Sequence, residues 1–152
     1  MTETLFSDNE VRALEIIVDM IIPASAEHEL PSASDPVIFA DILSAANAHH
    51  DLVTAALSTL DRVAYDSQGR GFLAVDQGLR DAIVAAFRQA HPNEADLLAT
   101  ITVTCYYRDD RVMRSHGMEA RPPHPAGFTV EEGDWSLLDP VRNRPEFYRK
   151  AT

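Results

Sequence analysis

A chain of 152 residues, 45% of them hydrophobic and only one a cysteine, is long enough to bury one core, cannot form an internal disulfide and supplies too few thiolates for a zinc or iron–sulfur centre. The formal net charge of −11 lies almost wholly at one end: residues 1–66 carry 12 acids against two arginines, residues 67–104 four against three, and residues 105–152 eight against eight basic residues. Such a surface disfavours nucleic acid and anionic membrane as partners, and no apolar run reaches the ~18 residues a membrane span needs.

The first residues, Met1 to Glu10, carry acids where a secretory signal carries a basic and then an apolar stretch, and no twin-arginine leader is seen. A cytoplasmic location is expected on that ground. Ser7 and Glu10 then have the spacing of a capping box, which opens a first helix with Leu14, Ile17, Val18 and Ile21 on its inner face. Pro23 ends it near Ile22, because proline cannot continue the helical ladder. Residues 24–34 are small, polar and proline-containing, hence a loop.

Asp35-Pro36 places a cap before a proline at the first helical position, starting a second helix with Ile38, Phe39, Ile42, Leu43 and Ala46 facing inward. A third helix is predicted from about His50 to Tyr65, with Val53, Ala56, Leu57, Leu60 and Ala64 as its stripe. Gln68-Gly69-Arg70-Gly71 breaks the pattern. Asp76 caps a fourth helix carrying Leu79, Ile83, Ala86, Phe87 and Ala90, and His91-Pro92-Asn93 separates it from a fifth that begins near Glu94.

The stretch Thr100 to Tyr107 is rich in β-branched residues and alternates like a strand. A helix is the better reading, since no second strand exists to satisfy its backbone groups. A short helix from Asp110 to His116, closed by Gly117, completes an all-α bundle of five to six helices spanning residues 1–117.

From Met118 onward the chain holds five of its nine prolines and loses periodicity, so residues 118–152 read as an extended, proline-rich C-terminal arm. Yet Phe128, Trp135, Leu137, Leu138, Val141, Phe147 and Tyr148 are more large apolar residues than a disordered segment carries, and they need a surface to cover them, on a partner or on the bundle itself. Arg121-Pro122-Pro123-His124-Pro125 favours stiff, extended geometry. Trp135 with Leu137 and Leu138 forms an anchor cluster, and Arg142, Arg144 and Arg149 offer planar donors; Trp, Tyr and Arg dominate the energetics of interfaces.

Catalytic constellations are hard to find. The six histidines show no spacing of a zinc or di-iron site, Gly69-x-Gly71 lacks the rest of a dinucleotide fingerprint, and neither a phosphate loop nor a nucleophile elbow occurs. His49-His50-Asp51 reads as a polar helix start. Arg108-Asp109-Asp110-Arg111 reads as an ion network or helix cap, with a carboxylate pair for acid–base work as the alternative.

The segments Tyr106 to Val112 and Gly133-Asp134-Trp135-Ser136-Leu137-Leu138-Asp139-Pro140-Val141-Arg142 resemble the gluconate 2-dehydrogenase subunit 3 family, as does the first helix with its Asp19-Met-Ile-Ile-Pro ending. The resemblance implies a small, helical, non-catalytic subunit in a hetero-oligomer. Its partner would be a large flavoprotein of the glucose–methanol–choline family, which carries the FAD and oxidises an alcohol group of a sugar, glycoside or related compound. No cofactor is expected on this chain. Docking is expected through Tyr106, Tyr107, Arg121, Pro122, Pro123, Phe128, Trp135, Leu137, Leu138, Arg142, Arg144, Phe147 and Tyr148. Two alternatives stand beside this reading: a maturation chaperone that leaves the flavoprotein once loaded, and a stand-alone metal or small-molecule enzyme using His49, His50, Asp109 and Asp110.

Overall fold

The computed structural model describes residues 5–121, 124–125, 127–128 and 132–145, and every regular element among them is helical apart from one isolated antiparallel bridge. The chain divides into two compact units, residues 1–121 and 122–152. None of the described helices is long and apolar enough to cross a membrane.

The first unit opens with α1, Asp8–Ile21, fixed by the capping box: the Ser7 hydroxyl accepts from the Glu10 amide while the Glu10 carboxylate accepts from the Ser7 amide at 2.8 Å. That reciprocity removes two orphan donors and is worth about 1 kcal/mol. Phe6, just before the cap, is buried with the core. After Pro23, the bridge between Ser25 and Leu30 closes a tight turn, and the Ala33 amide donates to the Ile22 carbonyl, which brings the chain back against α1.

Helix α2, Pro36–Asn47, starts as its Asp-Pro signal requires, with the Asp35 carboxylate accepting from the Val37 amide at 3.1 Å. Helix α3, His50–Gln68, buries all five stripe residues and runs three residues past Tyr65, until Gly69 adopts the left-handed conformation that terminates it. A 3-10 turn, Phe72–Ala74, follows and buries Phe72. Asp61 on α3 holds this turn by accepting from the Phe72 amide at 2.8 Å. A Cβ on Gly71 would stand 2.6 Å from that same carboxylate, so any side chain there displaces Asp61 from its present position.

Helix α4, Gln77–Ala90, departs from expectation in two respects. Asp76 holds the N-cap position but its side chain makes no capping bond, and Leu79, Ala86 and Ala90 are exposed, leaving Ile83 and Phe87 as the buried pair. Helix α5, Pro92–Tyr106, begins two residues before Glu94, with Pro92 at the first position, where its missing N–H costs nothing. Its β-branched stretch is helical: buried Thr102 donates its hydroxyl back to the Leu98 carbonyl at 2.7 Å, which satisfies that polar group in the core. Helix α6, Asp110–Ser115, ends at Gly117, whose φ is +71°. Helices α2 and α4 pack against α3 and α5, and α1 rests on the same two helices, which therefore form the centre of the bundle.

The second unit is not extended throughout. Trp135–Leu138 forms a 3-10 turn that runs directly into a one-turn helix, α7, Asp139–Arg142. Pro140 sits in the first turn of α7, where proline is compatible with a helix.

Candidate functional site

Arg111 is the best-organised polar residue of the bundle. Asp109 caps α6 by accepting from the Arg111 amide at 2.8 Å, and the Arg111 side chain returns to the same carboxylate through Nε and a terminal nitrogen, both at 3.0 Å. Its two terminal nitrogens also clasp both oxygens of Asp35, at 2.7 and 3.1 Å. One guanidinium thus bridges the N-cap carboxylates of two helices, α2 and α6. The pairing holds both aspartates below the ordinary carboxylate range and raises the pKa of Arg111 further above its already high value.

This geometry decides the Arg108–Arg111 segment in favour of a capping ion network. Asp110 pairs with Arg114 at 2.9 Å, so the adjacent carboxylates face different arginines. Asp109 and Asp110 thus take separate ion-pair partners. His49 and His50 are likewise held apart in role: His49 is the exposed N-cap of α3, whereas the His50 ring lies 4.9 Å from that of Phe6 and contacts Asp51 at 3.1 Å. No group of three or more potential metal ligands occurs among the described residues.

The residues expected to dock divide sharply by burial. Tyr106 is a core residue, only 2% exposed, and its hydroxyl donates to the Pro31 carbonyl at 3.0 Å, tying the end of α5 to the loop before α2. Burial pushes its phenol up from the usual value. It cannot present its ring to a partner, whereas its neighbour Tyr107 is exposed, stacked edge-on against Tyr106 and beside His116. Arg121 is half-buried and pairs with Glu119.

In the second unit, Trp135 is 64% exposed and Leu137 74%, with Leu138 and Phe128 also exposed. Trp135 and Leu138 are three residues apart, which in a 3-10 turn places side chains on one side. Asp134 makes the turn, accepting from both the amide and the hydroxyl of Ser136 at 3.0 and 2.6 Å, and these bonds hold its carboxyl below the usual range. Arg142 pairs with Asp139 at 3.5 Å within α7, and Arg144 is exposed. Pro122, Pro123, Phe147 and Tyr148 lie outside the described residues, as does Arg149. Val141 in α7 is a further exposed apolar residue, 56% exposed; its spacing of three from Leu138 is the signal for it in the sequence.

The fold defines a small all-α bundle followed by a segment that displays large apolar side chains on a capped turn. No family model, no curated protein and no solved structure matches this chain.

Proposed function

We propose that this chain is a non-catalytic small subunit that binds and stabilises a large FAD-dependent oxidoreductase of the glucose–methanol–choline type, acting on an alcohol group of a sugar, glycoside or related compound. The observation that carries the docking part is the Asp134-capped turn, which exposes Trp135, Leu137, Leu138 and Val141 together. Exposed single apolar residues are ordinary, but four within seven residues on a preformed turn, including a tryptophan, are the composition of an interface anchor. Preformed geometry lowers the entropy lost on docking.

The oxidoreductase part rests on the sequence resemblance described above. The ion-paired state of Asp109 and Asp110 supports a structural role for that segment over acid–base chemistry. Coexpression with a glucose–methanol–choline type flavoprotein from the same organism tests the proposal. A tagged copy is expected to carry the flavoprotein, with its bound flavin visible in the spectrum, through affinity and size-exclusion steps. Recovery of the tagged chain alone would rule the proposal out.

A further inference from the structure

Helices α1 and α4 both lie on α3 and α5 but make at most marginal contact with each other, which leaves an open seam along the bundle. One half of the seam is a mainly apolar groove of about 320 Å³, lined by Ile17 and Ile21 of α1, Val84 and Phe87 of α4 and Ala95 and Ala99 of α5, with the opposite charges of Arg88 and Asp96 also on its lining. The two alanines are about one helical turn apart and present only methyl groups to the groove. The other half, a hollow of about 370 Å³, is bordered by Glu15, Asp19 and Asp81 against a single guanidinium, Arg80. Met20 lines both, so the two hollows are neighbours along α1. From Glu15 to Ile21 the seam follows α1 for about 9 Å, between one and two helical turns.

We infer that this seam is a docking groove for a short amphipathic helix of another protein, with apolar residues at i and i+3 or i+4 and lysine or arginine beside them. The apolar half receives the side-chain knobs, as helix-in-groove recognition does, and the three carboxylates select the basic flank. Phosphate-rich partners are repelled by the same carboxylates. A second copy of this chain would set one net charge of −11 against another. The seam belongs entirely to the first unit, and the inference does not depend on the flavoprotein or on the second unit.

A fluorescently labelled 14-residue leucine–lysine helical peptide is the probe, with a peptide of the same composition in scrambled order as the control, both titrated against the full chain by anisotropy. The ordered peptide is expected to bind at least tenfold more tightly than the scrambled one. Ala99→Trp, which fills the groove, is expected to weaken binding at least tenfold. Glu15→Lys/Asp81→Lys is expected to do the same, whereas Asp41→Lys/Asp66→Lys, an equal change of charge elsewhere on the bundle, leaves binding within about twofold. Circular dichroism checks that each variant is folded, and Ala95→Leu replaces Ala99→Trp should the latter unfold. No binding of the ordered peptide, equal binding of the scrambled one, or equal losses from the two charge-reversal pairs overturns the inference.

Discussion

Replacing Arg111 by methionine isolates the contribution of the bridge between the two helix caps. The substitution keeps most of the side chain's apolar stem and leaves both backbone capping bonds, Asp35 to Val37 and Asp109 to Arg111, able to form. What is lost is a guanidinium that meets two carboxylates with two contacts each. Arg111 is 45% exposed, so solvent screening confines each pair to the ~0–1 kcal/mol of surface ion pairs; the smaller exposure of Asp35 and Asp109, 22% and 11%, puts both in the upper part of that range. The expected loss is therefore about 1–2 kcal/mol, read as a lower urea midpoint at unchanged slope.

The pH dependence gives a second reading of the same variant. Asp35 and Asp109 have folded pKa values below their unfolded ones, so their contribution is fully present above the unfolded value of ~3.9 and is lost as pH falls through the folded values. In Arg111→Met the carboxyl titrations of both, followed by NMR, move up toward ~3.9, and the stability difference from the parent shrinks below about pH 4. Arg114→Met serves as the comparison, since its pair with Asp110 is more than half exposed on both sides and is worth at most about 0.5 kcal/mol. An Arg111→Met variant with an unchanged urea midpoint and unmoved carboxyl titrations would refute the bridge.

Three further outcomes are expected. Gly71→Ala forces its Cβ against the Asp61 carboxylate and costs about 1–2 kcal/mol, the order of one charge-assisted hydrogen bond to the Phe72 amide. In an Asp61→Ala background the same substitution costs distinctly less, which urea unfolding of the four members of the double-mutant cycle measures. Ser7→Ala removes half of the capping box and lowers stability by about 1 kcal/mol, with the first residues of α1 losing amide-exchange protection before the rest of the bundle. Trp135→Ala leaves the urea midpoint of the first unit unchanged and weakens binding to the flavoprotein by about 2 kcal/mol, roughly thirtyfold, as measured by calorimetry.

The elements written in the sequence are those whose determinants lie within a few residues of each other. Ser7 with Glu10, Asp35 with Pro36 and the five-residue stripe of α3 each carry their own local physics, and all three fold as that physics dictates. Helix α5 was ambiguous because β-branched residues suit a strand. The absence of a pairing strand favours helix, and the helix then gives the Thr102 hydroxyl its partner in the Leu98 carbonyl. On α4, Leu79, Ala86 and Ala90 had the right spacing for burial, but the face covered by the neighbouring helices is narrower than the apolar stripe.

Long-range partners were not legible. Asp35 and Arg111 are 76 residues apart, so the sequence showed two caps and a charged segment without showing that one guanidinium joins them. Phe72 gave no periodic signal, because its burial depends on a side chain eleven residues earlier. Tyr106 looked like half of an aromatic docking pair, and only packing reveals that its hydroxyl belongs to Pro31 while Tyr107 faces outward. Within the arm, the loss of periodicity gave no sign of helix, yet Pro140 at the start of a one-turn helix is compatible with the turn that groups Trp135 and Leu138.

The most direct measurement of the central claim is the affinity of the proposed partner, a purified glucose–methanol–choline type flavoprotein from the same organism, for the full chain and for a chain truncated after Arg121. The truncated chain retains the whole first unit, and circular dichroism and a cooperative urea transition are expected to show it folded. The account predicts tight binding of the full chain and no measurable binding of the truncated one. Equal affinity of the two would place the interface on the bundle and contradict docking through the Trp135 turn.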